Sequence, residues 1–243
     1  MSNDSALIPL PASHRGIELG VLGAGRMGVR LAVMFARAGR LVVLGARDPV
    51  KAQRIVAELG IPNLSAGSYE DAIAAPAVLP AIFLRDGLDE LLKRFGRQLD
   101  GKLLIDISNP FNEDYSDFIL PWDDSSAELL QRLLPGTSVV GAYKHVFAQV
   151  FDAPLLEGRA GDVIIVGNDA RAKDYFLALA KGTPFRYIDA GSLIHARTIE
   201  RLTLITGRLG REVGTYPRMN WKLLGEAGGE TAETRQIDRL LAA

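Results

Sequence analysis

Apolar positions along this chain repeat with two alternating periods. Residues 17–22 form a short apolar run of strand length, and Met27, Leu31, Met34, Phe35 and Ala38 follow at helical spacing. A second strand is predicted over 41–44 and a helix over 49–59, opened by Asp48 as cap and Pro49 in the first turn. Ser68 and Asp71 have the spacing of a capping box, which predicts a short helix over 68–75. Residues 77–84 read as a sheet strand, although Pro80 inside it has no N–H to give to a ladder. The pattern then predicts an amphipathic helix over 88–98, strand 102–107, helix 125–134, strand 138–142, strand 162–166, helix 170–181 and strand 185–188. A long last helix over 192–213 carries Ala196, Ile199, Leu202, Ile205, Leu209 and Val213 on one face.

Unbroken alternation of strand and helix, without repeat or linker, predicts an α/β fold with a doubly wound, mostly parallel sheet of Rossmann type. We expect a loose arm over 1–16, a dinucleotide-binding domain over 17–150, and a small C-terminal αβ extension with the long helix over 151–243. The first strand runs into Gly23-Ala24-Gly25-Arg26-Met27-Gly28, a G-x-G-x-x-G turn that opens a helix. Gly23 lets the chain turn, Gly25 lets backbone approach a pyrophosphate, and Gly28 lets helix and sheet pack closely. The anion would sit on unpaired helix N–H groups.

The second strand ends in Gly45-Ala46-Arg47-Asp48, with Lys51 one turn further on. An NAD site usually places a carboxylate here, whereas a 2′-phosphate needs a cation. Arg47 supplies a guanidinium fork and Lys51 a second charge, so NADP is the expected cofactor, with Asp48 the ribose acceptor in the other case. Composition sharpens this by exclusion. With 28 basic and 29 acidic residues in 243, bulk charge points to no nucleic-acid or membrane partner. The sequence has no cysteine, which removes thiolate chemistry and fits a cytoplasmic setting. His14, His145 and His195 lack zinc-ligand spacing, and the acidic loop at Glu113, Asp114, Asp117, Asp123 and Asp124 reads as solvated, so no metal is expected.

The ordered motifs Gly-Ala-Gly-Arg-Met-Gly, Gly45-Ala46-Arg47, Ile105-Asp106-Ile107-Ser108-Asn109-Pro110 and Val139-Val140-Gly141-Ala142-Tyr143-Lys144 resemble the F420-dependent NADP reductases. They are similar also to the cytosolic reductase domain of the six-transmembrane epithelial metalloreductases. The likeness continues through Val166-Gly167-Asn168-Asp169, Ala172-Lys173 and Asp189-Ala190-Gly191-Ser192-Leu193. It implies that Ser108, Asn109 and Pro110 lie beside the nicotinamide and that Tyr143, Lys144, His145 and Val146 wall the acceptor pocket. It implies a homodimer too. Lys144 stands where relatives tend to have asparagine or histidine, and the tail from Thr215 follows neither relative.

The acceptor is then coenzyme F420, FMN or FAD rather than a transmembrane haem. Hydride transfer between two rings needs little acid–base machinery. A small carbonyl or imine substrate would need a proton donor, for which Lys144 and His145 are the candidates. Asn109 is expected to hold the ring or carboxamide. Tyr115, Phe118 and Trp122 form either a lid or a loop anchor, and Tyr216, Met219 and Trp221 cover either the pocket or a subunit contact. A noncatalytic NADP sensor is the remaining alternative.

Overall fold

The computed structural model describes residues 16–225 and 238–241, so the arm expected over 1–16 lies outside it except for Gly16. Short strands, the central ones buried on both faces, build a large sheet. Its strands are β1 (Leu19–Leu22), β2 (Val42–Gly45), β3 (Leu64–Gly67), β4 (Ala77–Pro80), β5 (Leu103–Asp106) and β6 (Ser138–Gly141). A two-stranded hairpin, β7 (Leu155–Leu156) and β8 (Arg159–Ala160), precedes β9 (Asp162–Gly167) and β10 (Arg186–Asp189). The spatial order is β10-β9-β6-β5-β4-β1-β2-β3. All neighbours are parallel except β6 and β9, where Val140 faces Gly167 in an antiparallel pair. The strand order 3-2-1-4-5-6 within this sheet is that of a doubly wound dinucleotide fold.

Helices α1 (Arg26–Arg37), α2 (Pro49–Leu59), α3 (Tyr69–Ile73), α4 (Leu88–Phe95), α5 (Ser126–Leu133), α6 (Ala170–Ala180) and α7 (Ala196–Glu212) connect the strands. Successive strand residues point to opposite faces, so Val42 and Leu44 join one apolar core and Val43 the other. The first core also holds Val140, Val150, Val163 and Phe176, and so runs continuously across residue 150.

Local chemistry explains most element ends. Asp48 accepts from the backbone of Val50 and Lys51 to start α2, and Ser68 and Asp71 form the predicted capping box on α3. Three expectations change. The strand expected over 77–84 stops at Pro80, whose ring nitrogen cannot donate; β4 pairs with β5 only through Ala77 and Val78. The last helix begins at Ala196 rather than 192, because the Asn168 side chain takes the Leu193 N–H at 3.0 Å and residues Leu193–His195 form a 3₁₀ turn. β3 was not foreseen: its burial alternates weakly, with Ser65 exposed at the sheet edge.

Candidate functional site

β1 pairs with β2 on one side and β4 on the other, so chain direction through the sheet reverses at β1. Ligands of open α/β sheets bind beyond the strand ends at such a point. A cavity of about 630 Å³ lies there. Gly23, Gly25, Arg26 and Met27 line one part, the turns after β4, β5 and β6 another, and Thr203, Leu204, Gly207 and Arg211 of α7 a third.

Each fingerprint glycine has a distinct task. Gly23 adopts φ +110°, a region that L side chains rarely enter. A Cβ on Gly28 would sit 1.8 Å from the Gly23 carbonyl oxygen, so that position is closed by packing. Gly25 differs: among the described residues a Cβ there would meet nothing within 4 Å, and its place at the start of α1 has no side-chain cap. The first-turn N–H groups of α1 therefore face open space, which suits a pyrophosphate. The Gly23 N–H donates to the Gly45 carbonyl at 2.8 Å, which sets the turn beside the end of β2. Ala46 is buried there, whereas Arg47 and Lys51 are exposed and lie off the cavity.

On the opposite side, Asp106 caps the turn after β5: its Oδ1 accepts from the Ser108 N–H at 2.8 Å and the Ser108 hydroxyl at 2.6 Å. This sets Ser108, Asn109 and Pro110 in a buried turn. Asn109 Nδ2 donates to the Lys144 carbonyl at 2.6 Å, with Thr203 Oγ1 at 3.4 Å. Both contacts are acceptors for Nδ2, so they fix which end of the amide is which. The other end, Asn109 Oδ1, is buried without a hydrogen-bond partner among the described residues, in a residue that lines the cavity. A buried carbonyl oxygen left unpaired is destabilising, and a ligand N–H such as that of a carboxamide would satisfy it. The glycine turn, the start of α1 and the Asn109 amide fit a nicotinamide dinucleotide.

The two expected proton donors are placed differently from the expectation. Lys144 lines the cavity with its chain, but its ammonium is fully buried and turned away from it. Nζ contacts Asp106 at 2.6 Å, Glu200 at 2.8 Å and the Ser108 carbonyl at 2.8 Å, which commits its three N–H groups. Burial alone would lower its pKa, but the two carboxylates outweigh that and raise it. Lys144 therefore offers neither a proton nor a positive charge to the cavity. Burial raises the Glu200 pKa against the pull of Lys144. His145 is also completely buried and is not among the cavity-lining residues; its Nε2 lies 3.0 Å from the Asp162 carbonyl, and burial lowers its pKa. The lining residue Tyr143 directs its hydroxyl to Tyr187 at 2.6 Å, and burial raises its pKa.

The aromatic loop divides its roles. Tyr115 lines the cavity and packs on Phe83 and Phe111, with centroids 5.9 and 5.3 Å away, beneath the Arg85 guanidinium at 4.3 Å. Phe118 anchors the loop against Phe111 at 5.1 Å, and exposed Trp122 stacks under Arg201. In the tail, Tyr216 packs on Phe147 at 5.5 Å and also lines the cavity, while Trp221 Nε1 donates to Thr206 at 2.6 Å. The α7 contributions, Thr203, Gly207 and Arg211, were missed by sequence reading. A trace of them lay in the interruption of α7's apolar face by Glu200, Thr203 and Thr206, polar residues that the fold buries.

Comparison with known proteins assigns this arrangement to a class, the NADP-dependent oxidoreductases built on a Rossmann sheet. Residues 18–110 match the family described as NADP oxidoreductase, coenzyme F420-dependent. An F420-dependent NADP reductase of Methanothermobacter marburgensis is 31% identical over 202 residues, which cover 77% of this chain and 89% of that protein. The chain belongs to this family. Metalloreductase STEAP3 of Rattus norvegicus is 29% identical over 205 residues, 84% of this chain but 39% of its own length. The chain thus spans well under half the length of that relative. A crystal structure of a candidate F420-dependent NADP reductase from Arthrobacter sp. FB24 superposes with a TM-score of 0.75 at 27% identity, covering 86% of this chain and all of the other.

Proposed function

We propose that this protein transfers a hydride between NADPH and a planar deazaflavin or flavin: coenzyme F420 first, FMN or FAD as alternatives. The bound nucleotide supplies the hydride. Gly23, Ala24, Gly25, Arg26, Met27 and Gly28 hold its pyrophosphate, Ala46, Arg47 and Lys51 the 2′-phosphate end, and Ser108, Asn109 and Pro110 the nicotinamide. Asn109 Oδ1 accepts a carboxamide N–H and so fixes which ring face looks into the cavity. A planar acceptor lies against the wall formed by Phe83, Phe111, Tyr115, Phe147 and Tyr216.

One observation carries the choice of acceptor. The proton donors expected for a carbonyl or imine substrate do not present theirs to the cavity: Lys144 is engaged by Asp106 and Glu200, and His145 by Asp162. Transfer between stacked rings needs placement and dryness more than proton delivery, and the apolar wall supplies both. The names of the family and of the methanogen relative support the same acceptor. Exposed Ile205, Leu209 and Val213 along α7 suit a homodimer contact, and we include pairing and a cytoplasmic setting in this proposal.

Stopped-flow oxidation of NADPH against F420, FMN, FAD and a set of small carbonyl compounds tests the reading. Turnover with a deazaflavin or flavin is expected. Turnover confined to carbonyl compounds would refute it, and tight NADPH binding without any turnover would favour a sensor.

A further inference from the structure

Three charged side chains are buried together beneath the cavity. Asp106 comes from the end of β5, Lys144 from the turn after β6 and Glu200 from α7, and their side chains are at most 1% exposed. Every strong contact is satisfied. Beyond the bonds of Lys144, Glu200 accepts from the Ser126 N–H at 3.0 Å, the Ser126 hydroxyl at 2.9 Å and the Ala127 N–H at 3.3 Å. Such a cluster is a poor source of net stability, because desolvation of the ions offsets much of their attraction. It does fix geometry, since each charge is strongly disfavoured without its partners.

What it fixes is visible at the other end of Lys144. Its backbone carbonyl accepts both from Asn109 Nδ2 and from the Thr203 hydroxyl. That carbonyl follows Tyr143, a non-glycine residue at φ +56°, which a chain holds only where its surroundings enforce it. We propose that Lys144 is a positioning residue: its ammonium, clasped by Asp106 and Glu200, holds its own carbonyl where it binds the Asn109 amide nitrogen and so leaves the amide oxygen free for a ligand at the cavity wall. Lys144 thereby sets how the nicotinamide carboxamide is read without touching it. The inference rests on the proposal above that Asn109 faces the carboxamide, but not on any choice of acceptor.

An equilibrium experiment separates the two. Calorimetry gives the affinity ratio of NADP⁺ to its 3-acetylpyridine analogue, whose methyl ketone has no N–H for Asn109. The wild type should prefer NADP⁺ by roughly tenfold, the loss of one hydrogen bond to a buried acceptor. Asn109→Ala should bring the ratio to about 1. Lys144→Met should do the same while leaving the affinity for 2′,5′-ADP unchanged, and Thr203→Val should lower the ratio in the same direction. Added to Asn109→Ala, Lys144→Met should cause no further change in the ratio. Since Lys144→Met strands two buried carboxylates, the neutral variant Lys144→Met/Asp106→Asn/Glu200→Gln carries the same test if the single variant fails to fold.

A retained preference in Lys144→Met or its neutral companion overturns the inference, whatever Thr203→Val does. So does a loss of 2′,5′-ADP affinity in parallel, which would mark a general structural role. A wild type without preference removes the Asn109 assignment and this inference together.

Discussion

Gly25→Val separates the binding task of the fingerprint from its packing task. The Gly25 backbone is extended, at φ −93° and ψ −173°, a conformation open to any residue. A Cβ added there meets no atom of the described residues within 4 Å, so that part of the fold has room for the branched side chain. The expected loss of stability is that of a poorer helix cap, about 1 kcal/mol or less. For a chain of this size that lowers Tm by roughly 2–4 °C. Nucleotide binding should suffer far more, because the side chain fills the space in front of the first-turn N–H groups of α1. Each charge-assisted bond lost to the pyrophosphate weakens binding by ~1.5–3 kcal/mol, on the order of tenfold to a hundredfold. Gly28→Ala is the control in the opposite sense: its Cβ would lie 1.8 Å from the Gly23 carbonyl oxygen, so it should destabilise by ~1–3 kcal/mol or more through overpacking. Scanning calorimetry reports the first quantity and titration with NADP⁺ and NADPH the second. Unaltered nucleotide affinity in a folded Gly25→Val would reduce the G-x-G-x-x-G turn to a structural feature and refute the site.

Other outcomes follow from the same geometry. Arg47→Ala should weaken NADPH by ~1.5–3 kcal/mol while leaving NADH nearly unchanged, and equal losses in paired titrations would remove the 2′-phosphate assignment. Asn109→Ala should lower the turnover number more than it raises the Kd for NADPH, since ring placement matters most at the transition state; single-turnover kinetics would contradict this by showing a normal rate with nucleotide bound. Burial alone would raise the Asp162 carboxyl, but bonds from Arg186, the Leu223 N–H and Lys222 hold it at about 2. Because this folded pKa is depressed, the ~2 kcal/mol it contributes is present above about pH 4 and is lost as pH falls toward 2. Asp162→Asn should flatten the acid limb of the unfolding curve in that window, followed by Trp221 fluorescence, and an unchanged limb would contradict the clamp.

Much of the molecule was legible in the linear chain, because the features concerned are local. Periodic apolar residues specify strands and helices one at a time, Asp48 and the Ser68–Asp71 pair reach backbone only two or three residues away, and the fingerprint glycines act within a single turn. Parallel pairing follows from that alternation, since parallel strands need crossover connections. The sequence thus determined the α/β class, the glycine turn between β1 and α1, and the turn at Ser108, Asn109 and Pro110.

Only the tertiary structure decided the direction of side chains on residues that long-range contacts surround. Lys144 stands beside the expected acceptor loop in sequence, yet Asp106 and Glu200, 38 residues before it and 56 after it, draw its ammonium beneath the cavity. His145 turns to Asp162, and α7 brings Thr203, Gly207 and Arg211 to a cavity whose other walls come from the first 150 residues and the tail. The antiparallel entry of β9 belongs with these, because the direction in which a strand joins its neighbour is chosen by the fold around it. A one-dimensional pattern records which residues are buried but not what they are buried against. For an ammonium group, that neighbour decides whether it gives a proton to a substrate or holds the chain in place.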